Sequence, residues 1–148
     1  MKYIQKLLAI TALVFTQTTF AGKVDVEHFP SRADMQLPFS EAVRVGHMLY
    51  LSGQIGIDPA TSRLVEGGIA GETRQTLENI KNTLEKHGSS LSEVVKCTVY
   101  LADIMEWAEM NKVYVTYFPT NPPARSALGS NGLALGSRTE IECMATVQ

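Results

Sequence analysis

Val94-Val95-Lys96-Cys97-Thr98-Val99-Tyr100-Leu101-Ala102 is the stretch on which the fold turns. Val95, Cys97, Val99 and Leu101 alternate with Lys96, Thr98 and Tyr100, the period-two pattern of a strand with one apolar and one polar face. Thr139 to Val147 repeats the pattern, with Ile141, Cys143, Ala145 and Val147 on one face and Glu140, Glu142, Met144 and Thr146 on the other. Two carboxylates therefore point the same way, and both strands need a cover for one side only.

That cover is amphipathic helix. From Ala70 to His87 the period lengthens, with Leu77, Ile80 and Leu84 at helical spacing and Gly88 as a stop. His87 in the last turn is read as a favourable partner of the helix dipole. A second helix, Ile104 to Phe118, carries Trp107, Met110, Tyr114 and Tyr117 or Phe118 as a stripe expected to pack in the core. Upstream, Phe39 to Val45 and Met48 to Ser52 flank Gly46-His47 as a hairpin, and Asp58-Pro59-Ala60-Thr61-Ser62 supplies a turn. After Pro119 the chain is extended through Arg125 to Gly129 and turns at Ser130-Asn131-Gly132. This order predicts an α+β single domain, a mixed β-sheet with both helices packed on one face. The other face, with Lys96, Thr98, Tyr100, Glu140 and Glu142, is too polar for a dry core and too rich in Tyr, Met and Thr for an ordinary solvated surface. It reads as a face used for assembly.

The ends and the composition narrow the function classes. Residues 1–21 have the layout of an export signal, with Lys2 and Lys6 before the apolar run Leu7 to Phe15 and then polar residues up to Thr19-Phe20-Ala21. The run is shorter than the about 20 apolar residues of a membrane span. The reading is a cleavable signal peptide cut after Ala21, a periplasmic or secreted mature protein, and no membrane association after cleavage. Residues 22–34 read as a flexible segment and residues 35–148 as the domain. Cleavage removes two lysines and no acid, so 13 basic and 15 acidic residues become 11 and 15, a formal charge of −4. The cations are scattered singly, without the basic stripe of a nucleic-acid binder.

Cys97 and Cys143 each lie in an apolar alternating segment with no second ligand nearby, so no metal site is expected. In an exported protein they could be bridged. Nothing in the sequence sets them opposite each other, so buried free thiols are the expected state. Arg125, in the uncharged stretch Pro122-Pro123-Ala124-Arg125-Ser126-Ala127, presents a planar fork of donors suited to a carboxylate or phosphate, and no acid adjoins it in sequence. The plain alternative is an arginine paired to a glutamate or simply solvated. Ser52 has the plain alternative of a strand-end hydrogen-bond donor.

The chain also resembles the Rid family, the reactive intermediate deaminases, known as the YjgF or endoribonuclease L-PSP family. The resemblance rests on Leu37 to Val43, Leu51-Ser52-Gly53-Gln54-Ile55, Gln75 to Ile80, Val94-Val95-Lys96, Met110-Asn111 with Tyr114 and Tyr117-Phe118, Pro123-Ala124-Arg125-Ser126, and Glu140-Ile141-Glu142, in family order. It implies a YjgF/chorismate-mutase-like fold and a homotrimer with a central barrel and sites between subunits. It implies hydrolytic deamination of enamines and 2-imino acids of the 2-aminoacrylate type to 2-oxo acids and ammonia, without metal or organic cofactor. The partner would be a small imino or oxo acid bearing a carboxylate, with no nucleic acid.

Carried over by position, Arg125 would grip that carboxylate and Glu140 would position or activate water. Phe39 and Ser52 would line the cleft, and main-chain groups around Ala127 would hold the water or the leaving nitrogen. Phe39 stands where many members have tyrosine, and Ala127 where many have cysteine. Asn131 replaces a more usual small or basic residue, and Thr139 an aliphatic one. The competing readings are a non-catalytic carboxylate-binding or holdase-type protein and an endoribonuclease or translation inhibitor.

Overall fold

A computed structural model describes residues 22–31 and 37–147, so the export-signal reading of residues 1–21 lies outside the described residues. The strands run β1 (Val26–Pro30), β2 (Ser40–Val45), β3 (Met48–Leu51), β4 (Gln54–Ile55), β5 (Ile57–Asp58) and β6 (Arg63–Leu64). Helix α1 (Gly68–Lys86), β7 (Val94–Leu101), α2 (Trp107–Tyr117), β8 (Ala124–Gly129) and β9 (Thr139–Thr146) follow. The main sheet has the order β1-β2-β3-β9-β7-β8, with β4 also on β9, and β5 and β6 form a small separate ribbon. Among the described residues only β7 and β8 pair in parallel, joined by α2 as a crossover.

The hairpin β2–β3 closes over Gly46-His47, where Gly46 has φ +57, a conformation open to glycine at no steric cost. Helix α1 begins at Gly68 and ends where Gly88 takes φ +79. There Ser89 N–H donates to the Leu84 carbonyl and satisfies the last turn. Leu77, Ile80 and Leu84 are fully buried, and so are Ile141, Cys143 and Ala145 beneath them. The expected mixed sheet with two helices on one side is the observed architecture. Among the described residues, no helix is long and apolar enough to cross a membrane.

Four details differ from the sequence reading. Part of the segment expected to be flexible, residues 22–34, forms β1, which pairs antiparallel with β2 and packs Phe29 against the core. Phe29 also stacks on His87, the C-cap residue of α1, at 4.0 Å between ring centres, so His87 is held there as a packed ring. Second, Val95 does not share the apolar face. The β7–β9 register shifts between Val94 and Lys96, so this bulge turns Val94 inward and leaves Val95 44% exposed.

Third, Cys97 and Cys143 are not free thiols. They are cross-strand partners on β7 and β9, with Cα atoms 4.1 Å apart, and are joined as a disulfide. Sequence separation conceals this neighbour relation, because register is set by strands 46 residues apart. Fourth, the stripe on α2 is only partly core. Met110, Tyr114 and Phe118 are buried, but Trp107 is 42% exposed.

Candidate active site

Arg125 lies on β8, level with Cys97 of β7. Its side chain is on the helix side of the sheet, with Cζ 4.5 Å from the centre of the Tyr114 ring and 5.7 Å from that of Trp107. Among the described residues no carboxylate pairs with it, so the paired-arginine alternative is not what the fold builds. Burial pushes the Tyr114 phenol up to about 12 against the opposing charge of Arg125, so near neutral pH a neutral ring faces the cation. Ala127, two residues on, packs on the core from the same face. β8 ends the strand order, so part of its backbone hydrogen-bonding edge lacks a strand partner among the described residues.

Glu140 lies on β9 opposite Tyr100 of β7 and Ile55 of β4. Its neighbours Thr139 and Ile141 are fully buried toward the helices, so alternation turns Glu140 to the opposite, polar face. A Cβ added at Gly53 would collide with the Glu140 carboxylate, so the glycine lets the β3–β4 connection pass directly over the acid. Partial burial, and secondarily the charge of Glu142, raise the Glu140 pKa above the usual glutamate value. Tyr100 donates its hydroxyl to Glu142 Oε1 at 3.3 Å. Its own pKa is raised by desolvation, by the charge of Glu142 and its hydrogen bond, and by the charge of Glu140.

Ser52 sits beside that glycine at the end of β3. Its hydroxyl donates to the Ser40 carbonyl at 2.6 Å and its N–H to the Glu41 carbonyl, the strand-end role, which leaves hydroxyl lone pairs open. Phe39, 51% exposed, immediately precedes Ser40. Phe39, Ser52, Gly53 and Glu140 are therefore gathered at one end of β3 and β9, while Arg125 and Ala127 stand on β8 beyond β7.

One chain does not bring the two groups together. Glu140 is level with Leu128 across Tyr100, three residues from Arg125. Two strand spacings and three residue rises separate their Cα atoms by roughly 14 Å, and their side chains point to opposite faces. Sequence reasoning missed the ring support of Arg125 and the close approach of Gly53. The first was hidden inside a helical stripe that packing alone explained, whereas the second had a signal, a glycine directly after Ser52.

Among the described residues no group of three or more His, Cys, Asp or Glu side chains is placed to hold a metal ion. The sequence profile of the endoribonuclease L-PSP family matches residues 30–147. The chain belongs to this family, also called the Rid or YjgF family. It is 46% identical over 108 residues to the human protein named 2-iminobutanoate/2-iminopropanoate deaminase, spanning 73% of this chain and 79% of that protein. It is 47% identical over 108 residues to a RutC family protein of Pyrococcus horikoshii, spanning 73% and 86%. Among solved Rid family structures, RidA from an Antarctic Psychrobacter superposes with a TM-score of 0.73 at 38% identity, covering 81% of this chain and 94% of the other. Yeast Mmf1 superposes with a TM-score of 0.74 at 36% identity, covering 82% and 93%.

Proposed function

We propose that this Rid family protein hydrolyses 2-imino acids and their enamine tautomers to 2-oxo acids and ammonia. The observation that carries the reading is that one chain, related to proteins named 2-iminobutanoate/2-iminopropanoate deaminase, holds both an arginine on β8 that no carboxylate among the described residues neutralises and a glutamate of raised pKa on β9. The site is composite, with Arg125 and Ala127 from one subunit and Phe39, Ser52 and Glu140 from its neighbour in a homotrimer. The opposite facing of Arg125 and Glu140 within a chain supports this division. So does the polar sheet face, where Tyr50 and Met144 rim a shallow hollow of ≈ 150 Å³ with Lys96, Thr98 and Glu142.

The demands on the protein are modest. Arg125 holds the carboxylate through its two-pronged donor edge and so fixes the adjacent C=N carbon. Glu140, as carboxylate, takes a proton from water as the oxygen bonds to that carbon, and the C=N pair moves to nitrogen. The same proton then passes to the nitrogen of the tetrahedral intermediate. Glu140 then relays the hydroxyl proton of that intermediate to the same nitrogen as the C=O bond forms and the C–N bond breaks, so ammonia leaves and one water is consumed per imine. A raised Glu140 pKa suits a group that must both accept and return a proton. Work outside the cytosol fits the export layout of residues 1–21, and the Cys97–Cys143 bond supports an oxidising compartment.

The test is ammonia release from a 2-imino acid generated in place by an L-amino-acid oxidase. The mature protein should accelerate release, and the Arg125→Ala variant should not. No acceleration by the parent would turn the reading to a carboxylate binder or holdase.

A further inference from the structure

Arg125 is steadied by rings rather than by an acid. The acids flanking Trp107 on α2 are committed elsewhere: Glu106 accepts Arg138 Nε at 3.0 Å and pairs with its Nη2, and Glu109 pairs with Lys112 at 2.7 Å. Glu78, the acid beneath the end of the same helix, accepts the Tyr117 hydroxyl at 2.7 Å. What faces the guanidinium is the buried Tyr114 ring, whose hydroxyl has no partner among the described residues, and the half-exposed Trp107 ring. A cation over an aromatic face gains from the ring quadrupole and keeps its in-plane N–H donors open, whereas a carboxylate partner would occupy them.

We propose that Trp107 is a positioning residue for Arg125. With Tyr114 it forms an aromatic corner that holds the guanidinium half-buried, charged and with its donor edge available to a planar carboxylate. This rests on the reading of Arg125 as the carboxylate group of the site. The corner fixes the arginine's orientation before substrate arrives, so its loss should weaken capture and leave proton transfer untouched. Because the Tyr114 hydroxyl is unpartnered, the ring alone supports the cation, and Trp107 is the member that can be altered without opening the core.

The experiment compares the parent with Trp107→Phe and Trp107→Leu, which separate an aromatic face from apolar bulk. Calorimetry with 2-oxobutanoate as probe is set beside steady-state imine hydrolysis. Trp107→Leu should weaken 2-oxobutanoate binding and raise KM by about fivefold to tenfold with kcat nearly unchanged, while Trp107→Phe should restore most of the affinity. Equal affinity in Trp107→Leu and parent, or a Phe variant as weak as the Leu variant, would overturn the proposal. A fall in kcat without a change in KM would do the same. Trp107 is the chain's single tryptophan, so its emission reports the contact directly. It should change in Arg125→Ala, and unchanged emission would overturn the contact whatever the ligand data show. A parent that binds no 2-oxobutanoate while its emission responds to Arg125→Ala would instead overturn the carboxylate reading on which the proposal rests.

Discussion

The β8 edge and the polar face of β9 prepare a charged group in opposite ways. At β8 a cation is set over rings and kept from acids, so its charge is free for a ligand. At β9 a carboxylate is set partly out of water and near a second carboxylate, so its proton is held more tightly than usual. The first arrangement favours binding and the second favours proton exchange. Substitutions at the two places should therefore separate KM from kcat, which gives three ways to break the comparison.

The largest effects belong to the two groups themselves. Glu140→Gln should lower kcat by about a thousandfold while 2-oxo acid affinity stays near that of the parent. Arg125→Ala should lower kcat/KM by roughly a hundredfold, mainly through KM, and Arg125→Lys should rescue little of it because the two-pronged geometry is lost. If both variants lost affinity alike, the division of labour would be wrong.

A second prediction concerns the strands between the two places. Cys97 lies level with Arg125 and is bonded to Cys143 on the strand that carries Glu140, so the disulfide crosses the gap between the halves. Closing a loop of 46 residues should contribute about 4 kcal/mol by restricting the unfolded chain. Reductant, or Cys143→Ala, should lower Tm by roughly 15 °C, as followed by thermal unfolding with and without dithiothreitol. Identical melting curves would contradict the clip.

The smallest effect tests the cause of the raised Glu140 pKa. Glu142 carries one of the two influences that disfavour the Glu140 anion, so Glu142→Gln should let Glu140 ionise at lower pH. The acidic limb of the kcat/KM profile should then begin above the ordinary glutamate value in the parent and move down in the variant, by less than about one pH unit. A limb that stayed in place would leave desolvation as the only cause.

How far the molecule can be read from its residues differs by level. The α1 stripe and the alternation of Thr139 to Val147 were legible because burial on one face imposes a period, and both appear as read. Val95 was misplaced because a bulge adds a residue without altering composition. The Cys97–Cys143 pair and the ring support of Arg125 were illegible for a related reason, since both depend on register between distant segments. Arg125 and Glu140 were visible as residue types, but their opposite facing follows only from the sheet order.

That opposite facing makes mixed oligomers the most direct test of the composite site. Arg125→Ala and Glu140→Gln subunits, each strongly impaired alone at substrate well below KM, should be unfolded together, refolded as mixtures and assayed for ammonia release at that concentration. If Arg125 and Glu140 come from different subunits, mixtures should regain activity through interfaces that bring one intact arginine to one intact glutamate. Mixtures as impaired as either parent variant, with mixed assembly verified by native mass spectrometry, would contradict the composite site.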